Sequence, residues 1–249
     1  MPQRAQEQAV KNREEVLRRK SAARLRSMHD RLLASYGPQA WWPARARFEV
    51  ILGAYLTQNT AWKSVERSLN NLRRARAITV AGVRQARTEE LAKWIRPSGF
   101  HTRKAPAIQA FIRLLDEEFN GSLTNMERAS TDVLRSALLA LPGVGPETAD
   151  AILLYAFGHP VPVADEYLRR IVDRHALLER EKSRLRYDDL AQLTRDAFAN
   201  EPAHRHAVYF NEFHALVVAV GKAHCGRTPD CEHCPLRYDL KHRVTNARL

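Results

Sequence analysis

Three groups of residues in this 249-residue chain have types and spacings that suit chemistry. The first is the turn "LPGVGPETAD" (141–150), in which Gly143 and Gly145 flank Val144 and Glu147 follows. Glycines there permit left-handed backbone angles and leave no side chain over the turn. The amides of such a turn, with the start of the next helix, form a natural anion site. The second is Asp165, eighteen residues after Glu147, which ends the extended run "HPVPVAD" and opens a helical pattern. Read alone, Asp165 is an N-cap. Beside the glycine hairpin it reads as a catalytic carboxylate, and the two roles are compatible. The third is Cys225-x5-Cys231-x2-Cys234, which holds all three cysteines of the chain. An odd, clustered set in a reducing compartment points to a metal site over disulfides.

The elements that must carry these residues read as helices. Phe48 to Leu56 is apolar nearly all round, as a buried helix is. Trp62, Val65, Leu69 and Leu72 recur at helical spacing in 60–75. Further helices are expected at 87–95, 102–118, 129–140, 146–157, 165–175, 187–199 and 204–221, with a Pro/Gly break at "RPSGF" (96–100). No stretch alternates as a strand would, so the expected class is all-α. Residues 1–27 carry eight Lys/Arg against three Glu and read as a polar helix or a frayed arm. The net charge is +12, which suits a polyanionic partner, usually nucleic acid. No apolar run is long enough to span a membrane, and the N-terminus lacks the apolar core of a secretory signal. The expected location is cytoplasmic, with the nucleoid.

"LPGVGPETADAILLYAFGHPVPVAD" resembles the helix-hairpin-helix, Gly/Pro-rich loop and Asp motif of the base-excision DNA glycosylase superfamily. "FEVILGAYLTQNTAW" (48–62) resembles its core helix with a Gln-containing turn, and "SGFHTRKA" (98–105) its Gly-aromatic-x-x-Lys-Ala turn. The nearest branches are the endonuclease III-like enzymes and the 3-methyladenine glycosylases. The resemblance implies two helical domains flanking a DNA-binding cleft. One is a six-helix barrel, 48–160. The other is discontinuous, 20–47 plus 161–249, preceded by a basic arm, 1–19, and ending in an iron–sulfur-type loop. It implies a monomer acting on double-stranded DNA that contains damaged bases. The target nucleotide is flipped out, because its glycosidic bond is unreachable in the stack.

The same resemblance assigns roles. Asp165 is the catalytic aspartate, whose charge stabilises the oxocarbenium-like sugar or activates water. Gly143, Val144 and Gly145 contact DNA, together with Lys104. Gln58 reaches beside the flipped base, or else bonds backbone at its helix end. Glu147, a second candidate catalytic residue, stands where bifunctional members carry the lysine that forms a Schiff base. A Glu in a first helical turn is also what the helix dipole favours. A carboxylate forms no Schiff base, so hydrolysis by a monofunctional glycosylase is expected, with Lys104 or the N-terminus a conceivable weak substitute amine. Trp41, Trp42 and Trp62 resemble base-pocket segments of the 3-methyladenine glycosylases, where aromatic faces hold electron-poor alkylated bases. Core packing is the competing role. Endonuclease III-like proteins hold a [4Fe–4S] cluster with four cysteines. Here Leu240 takes the fourth spacing, and Asp239 is the expected atypical ligand beside Cys225, Cys231 and Cys234. Zinc with His224, His233 or His242, or no metal, are the alternatives. Two other functions stay open: a bifunctional glycosylase/lyase with weak activity on oxidised pyrimidines, and a non-catalytic binder of damaged DNA.

Overall fold

The computed structural model describes residues 2–39, 41, 46–178 and 185–240, and among them there are helices, turns and loops but no strand. The chain divides into two compact units, residues 1–41 with 162–249 (unit 1) and residues 42–161 (unit 2). No helix of the described residues is long and apolar enough to cross a membrane.

Unit 1 begins with α1 (Pro2–Tyr36), which runs unbroken through the boundary expected at residue 19. Residues 12–20 are exposed, and the buried stripe starts only at Ala22, Leu25, Met28 and Leu32. That i, i+3, i+4 spacing turns one face toward α11 (Tyr187–Ala197) and α12 (His206–Ala223). Gly37, at φ +69, ends α1 with its amide on Leu33 O at 2.8 Å. The short helix α10 (Glu166–Arg174) packs on α12 through Leu168, Ile171 and Val172. Gly221 of α12 makes this approach possible: a Cβ there would lie 2.2 Å from the Tyr167 ring.

Unit 2 is built on α2 (Arg47–Thr57), whose residues Phe48 to Leu56 are all buried, as its uniform apolarity predicts. Around it lie α3 (Trp62–Arg74), α4 (Val80–Gln85), α5 (Thr88–Trp94), α6 (His101–Phe119), α7 (Leu123–Arg128), α8 (Thr131–Leu139) and α9 (Pro146–Ala151). Two of these eight, α4 and α7, are absent from the six helices read off the sequence. Each has only six residues, too few to show a period, and each starts from a side-chain cap, Thr79 on Gly82 N and Ser122 on Asn125 N. Beyond α9 the helix widens to a π-turn, Ile152–Ala156, and closes through Gly158 N to Leu154 O and His159 N to Leu153 O.

Candidate active site

In unit 2 the hairpin joins α8 to α9. Gly143 sits at φ +76, which only glycine adopts without strain, whereas Gly145 is extended at φ −97 and ψ 176. The expectation of left-handed geometry therefore holds for Gly143 and not for Gly145. A Cβ on Gly145 would meet nothing within 4 Å, so packing inside the chain does not call for glycine there. Val144 turns its side chain inward, leaving the backbone of the two glycines at the surface. The two helices are clamped by a bidentate pair, Arg135 Nε to Asp150 Oδ1 at 2.7 Å and Nη2 to Oδ2 at 3.1 Å. Glu147 is exposed, in the first turn of α9.

Gln58, just past the end of α2, points its amide at this hairpin. Its Nε2 donates to Gly143 O and to Thr148 Oγ1, both at 2.9 Å. The backbone-bonding alternative is thus the one the geometry contains: Gln58 braces the turn. Lys104 faces inward. It is 4% exposed, and its ammonium donates inward to Leu56 O, Gln58 O, Thr60 Oγ1 and Ser98 O at 2.8–3.0 Å. Burial pulls its pKa down to about 8, and the oxygens around Nζ keep the group charged at neutral pH. An amine held this way ties the turn after α2 to the "SGFH" turn. Its side chain also lines the small pocket beside Gln58 and Gly143.

Beside Gln58 and Gly143 lies a small pocket that Phe100 and Arg103 also line. Phe100 is 58% exposed and held at φ +45, an unusual state for a bulky residue. In the sequence this aromatic marks a turn and not a surface feature. The one available signal was its place directly after a Pro-Ser-Gly break. Trp62 is half-buried at the start of α3, its indole N–H donating to Glu66 Oε1 at 2.9 Å. Trp42 lies outside the described residues.

In unit 1 Asp165 is buried at the start of α10, and its Oδ1 accepts the Leu168 N–H at 2.8 Å. It is an N-cap, as its position predicts. Its Oδ2 faces His214 Nε2 of α12 at 3.6 Å. The Trp41 ring lies against that imidazole, centroids 5.4 Å apart and planes at 49°. His214 was not anticipated. The signal for it was a single polar side chain inside the apolar run "FHALVVAV".

The three cysteines line one small enclosed cavity with His224, Leu236 and Leu240. Arg174 Nη1 donates to Cys225 Sγ at 2.9 Å, and burial pushes the Cys234 thiol up from its ordinary pKa. Asp239, the expected fourth ligand, does not line this cavity and is engaged elsewhere. It is 2% exposed, and its carboxylate accepts from Arg24 Nε (2.9 Å), Arg24 Nη2 (2.6 Å) and His175 Nδ1 (2.9 Å). Burial alone would raise its pKa; the hydrogen bonds from His175 and Arg24 outweigh it and bring the group to about 2. Three thiols with Leu240 at the fourth corner do not complete a cluster's ligand set. Among the described residues no group of three or more His, Cys, Asp or Glu side chains is placed to hold a metal ion. His242 lies outside them.

Comparison with known proteins fits this picture. Residues 52–195 match the sequence profile of the HhH-GPD superfamily base excision DNA repair proteins. A Methanocaldococcus jannaschii protein provisionally named a DNA repair glycosylase is 36% identical over 83% of this chain and 90% of its own length. Endonuclease III of Sulfolobus acidocaldarius is 28% identical over 81% of this chain and 84% of its own. The crystal structure of an H. pylori 3-methyladenine DNA glycosylase bound to 1,N6-ethenoadenine is 30% identical, with a TM-score of 0.67 over 83% of this chain and 97% of that one. The profile spans more than half of the chain, in the segment that carries hairpin, loop and aspartate, so this protein belongs to the HhH-GPD superfamily of base excision DNA repair proteins and is a DNA glycosylase.

Proposed function

We propose that this glycosylase is monofunctional: it releases a damaged base by hydrolysis and does not cleave the strand. The observation that carries the reading is the exposed carboxylate of Glu147 at the hairpin position where a lyase needs an amine. Lys104, a candidate substitute, spends its protons on oxygens inside unit 2. In this reading Asp165 supplies the negative charge that stabilises the sugar as the glycosidic bond breaks. Capping α10 holds that carboxylate in one rotamer.

The backbone of Gly143 and Gly145 takes a phosphate, which positions the duplex without reading its sequence. Phe100 supplies an apolar face to DNA bases, while Gln58 braces the turn beneath the phosphate. The preferred lesion is an alkylated base. An alkylated purine is already a good leaving group, so a hydrolytic site needs less acid catalysis. Trp41, Trp42 and Trp62 furnish the aromatic faces, and the likeness to the ethenoadenine-bound glycosylase supports this substrate class. The C-terminal loop is a brace, and no step of the reaction passes through it.

The test is a panel of duplexes, each with one defined lesion, alkylated, oxidised or deaminated, plus an abasic site. Base release and strand scission are scored separately for the native chain and for Asp165→Asn. Release without scission is expected, slowed on the order of 10³-fold in the variant. Scission with a borohydride-trapped Schiff base would overturn the monofunctional reading. Tight binding to every lesion with no release would mean a damage-binding protein.

A further inference from the structure

We propose that His214 is a positioning residue for Asp165, holding the carboxylate from the side its own helix leaves open. This rests on the reading of Asp165 as the catalytic carboxylate. The two oxygens of Asp165 are addressed by different elements. Oδ1 is bound by the Leu168 N–H of α10, at 2.8 Å. Oδ2 faces Nε2 of His214 on α12, at 3.6 Å. That is longer than a hydrogen bond, so the imidazole acts through the polar edge it turns to the carboxylate and through the space it fills.

The burial of both groups makes this contact consequential. Asp165 and His214 are 8% and 7% exposed, and a buried imidazole inside an apolar helix face is costly without a polar neighbour. Phe213, Ala215, Leu216 and Val217 around it in sequence are all buried as well. Trp41 covers the imidazole, its centroid 5.4 Å away, which limits rotation of the ring. The close seating of α10 on α12 sets the spacing, because Gly221 leaves room for Tyr167 where any side chain would clash. Cap, imidazole and indole together confine a carboxylate that must meet a developing charge at a fixed angle. Misplacement by about 1 Å costs on the order of 10²-fold in rate. A carboxylate oxygen has two lone-pair directions, so each still offers one to the sugar or to water.

The experiment compares His214→Leu, His214→Gln and Asp165→Asn with the native chain. The substrates are purine-methylated duplex DNA and a duplex carrying one 1,N6-ethenoadenine. Single-turnover base release gives the rate, and Kd is measured on a duplex containing a tetrahydrofuran abasic analogue. Melting temperature is recorded for each variant. His214→Leu is expected to slow release about 10- to 100-fold with Kd changed less than about threefold. His214→Gln, whose Nε2 falls near the imidazole nitrogen, is expected to recover most of the rate.

Native-like release by His214→Leu overturns the proposal. So does a loss shared equally by both His214 variants and matched by a fall in melting temperature, which would make His214 a packing residue. If Asp165→Asn keeps the native rate, the catalytic reading of Asp165 fails first. If Asp165→Asn is inactive and His214→Leu is not impaired, only the positioning role fails. A native chain that releases no base from either duplex overturns both readings.

Discussion

Set against the endonuclease III-like pattern that the sequence resembles, and on the proposed reading, the hairpin of unit 2 and the C-terminal loop of unit 1 each lack one residue, and they hold their shape by different means. At the hairpin the missing group is an amine, and Glu147 replaces it at an exposed position in the first turn of α9. That turn never depended on the amine. It is clamped by Arg135 and Asp150 and braced by Gln58. At the loop the missing group is a thiol, and Leu240 takes its place beside three cysteines. A cluster ligand is structural as well as chemical, and here Asp239 anchors the loop's end to Arg24 and His175. The comparison teaches that a reactive group on a surface turn is lost without structural consequence, whereas a group that closes a loop leaves a fold that another contact must hold.

The sharpest way to break this comparison is Glu147→Lys, which restores an amine at the hairpin. Duplex DNA with an abasic site, treated with borohydride, should give a trapped covalent product from the variant and only background from the native chain. The melting temperature should barely move, since position 147 is exposed. If the variant traps nothing, the residue at 147 is not what separates this chain from a lyase. If the variant unfolds, the hairpin did depend on its side chain.

Asp239→Asn tests the other half. It leaves Arg24 beside a neutral amide in a nearly closed site, at a cost of roughly 3 kcal/mol in urea denaturation. The pH dependence has a definite sign. A carboxylate depressed to about 2 in the folded chain, from about 3.9 when unfolded, contributes its full stability above pH 4. The native advantage over the variant should shrink as pH falls from 4 toward 2. Iron content of the purified protein should be the same for both chains. A loss of iron in the variant would return Asp239 to the role of ligand.

Lys104→Met has a smaller expected effect, roughly 2 kcal/mol, because the carbonyls of Leu56, Gln58 and Ser98 lose the ammonium and the Thr60 hydroxyl can serve only one of the last two. Activity per folded molecule should remain. A variant that is stable but no longer binds DNA would put the Lys104 amine back at the interface.

These outcomes bear on what was legible in the sequence. The buried helix at 48–56, the hairpin and the cap at Asp165 were readable because each rests on local rules: uniform apolarity, paired glycines, an acidic residue before a helix. The partners of Asp239 were not. Arg24 lies 215 residues away in the chain, and no spacing rule reaches that far. The partners of Lys104 were not legible for a related reason: two separate segments, residues 56–60 and Ser98, converge on its nitrogen. His214 was hidden by the same apolar periodicity that predicted its helix. The short helices α4 and α7 fell below the length at which period is visible, although their caps were present.

Gln58 gives the smallest effect and the finest cut. Gln58→Ala removes two hydrogen bonds, to Gly143 O and Thr148 Oγ1, from a half-buried site. The stability loss should be about 1 kcal/mol, because water reaches the turn and replaces part of what is lost. Binding should suffer more than folding does. With the amide gone, the carbonyl of Gly143 is no longer tethered, and the backbone groups that face a phosphate lose their common orientation. An undamaged duplex reports this, since phosphate contacts are blind to sequence. Its Kd should rise severalfold at low salt, with nearly the native slope against log salt, because no charge has been removed. A Kd that rises only on lesion-containing duplexes would instead place Gln58 at the flipped base, which is the role its position in the sequence first suggested.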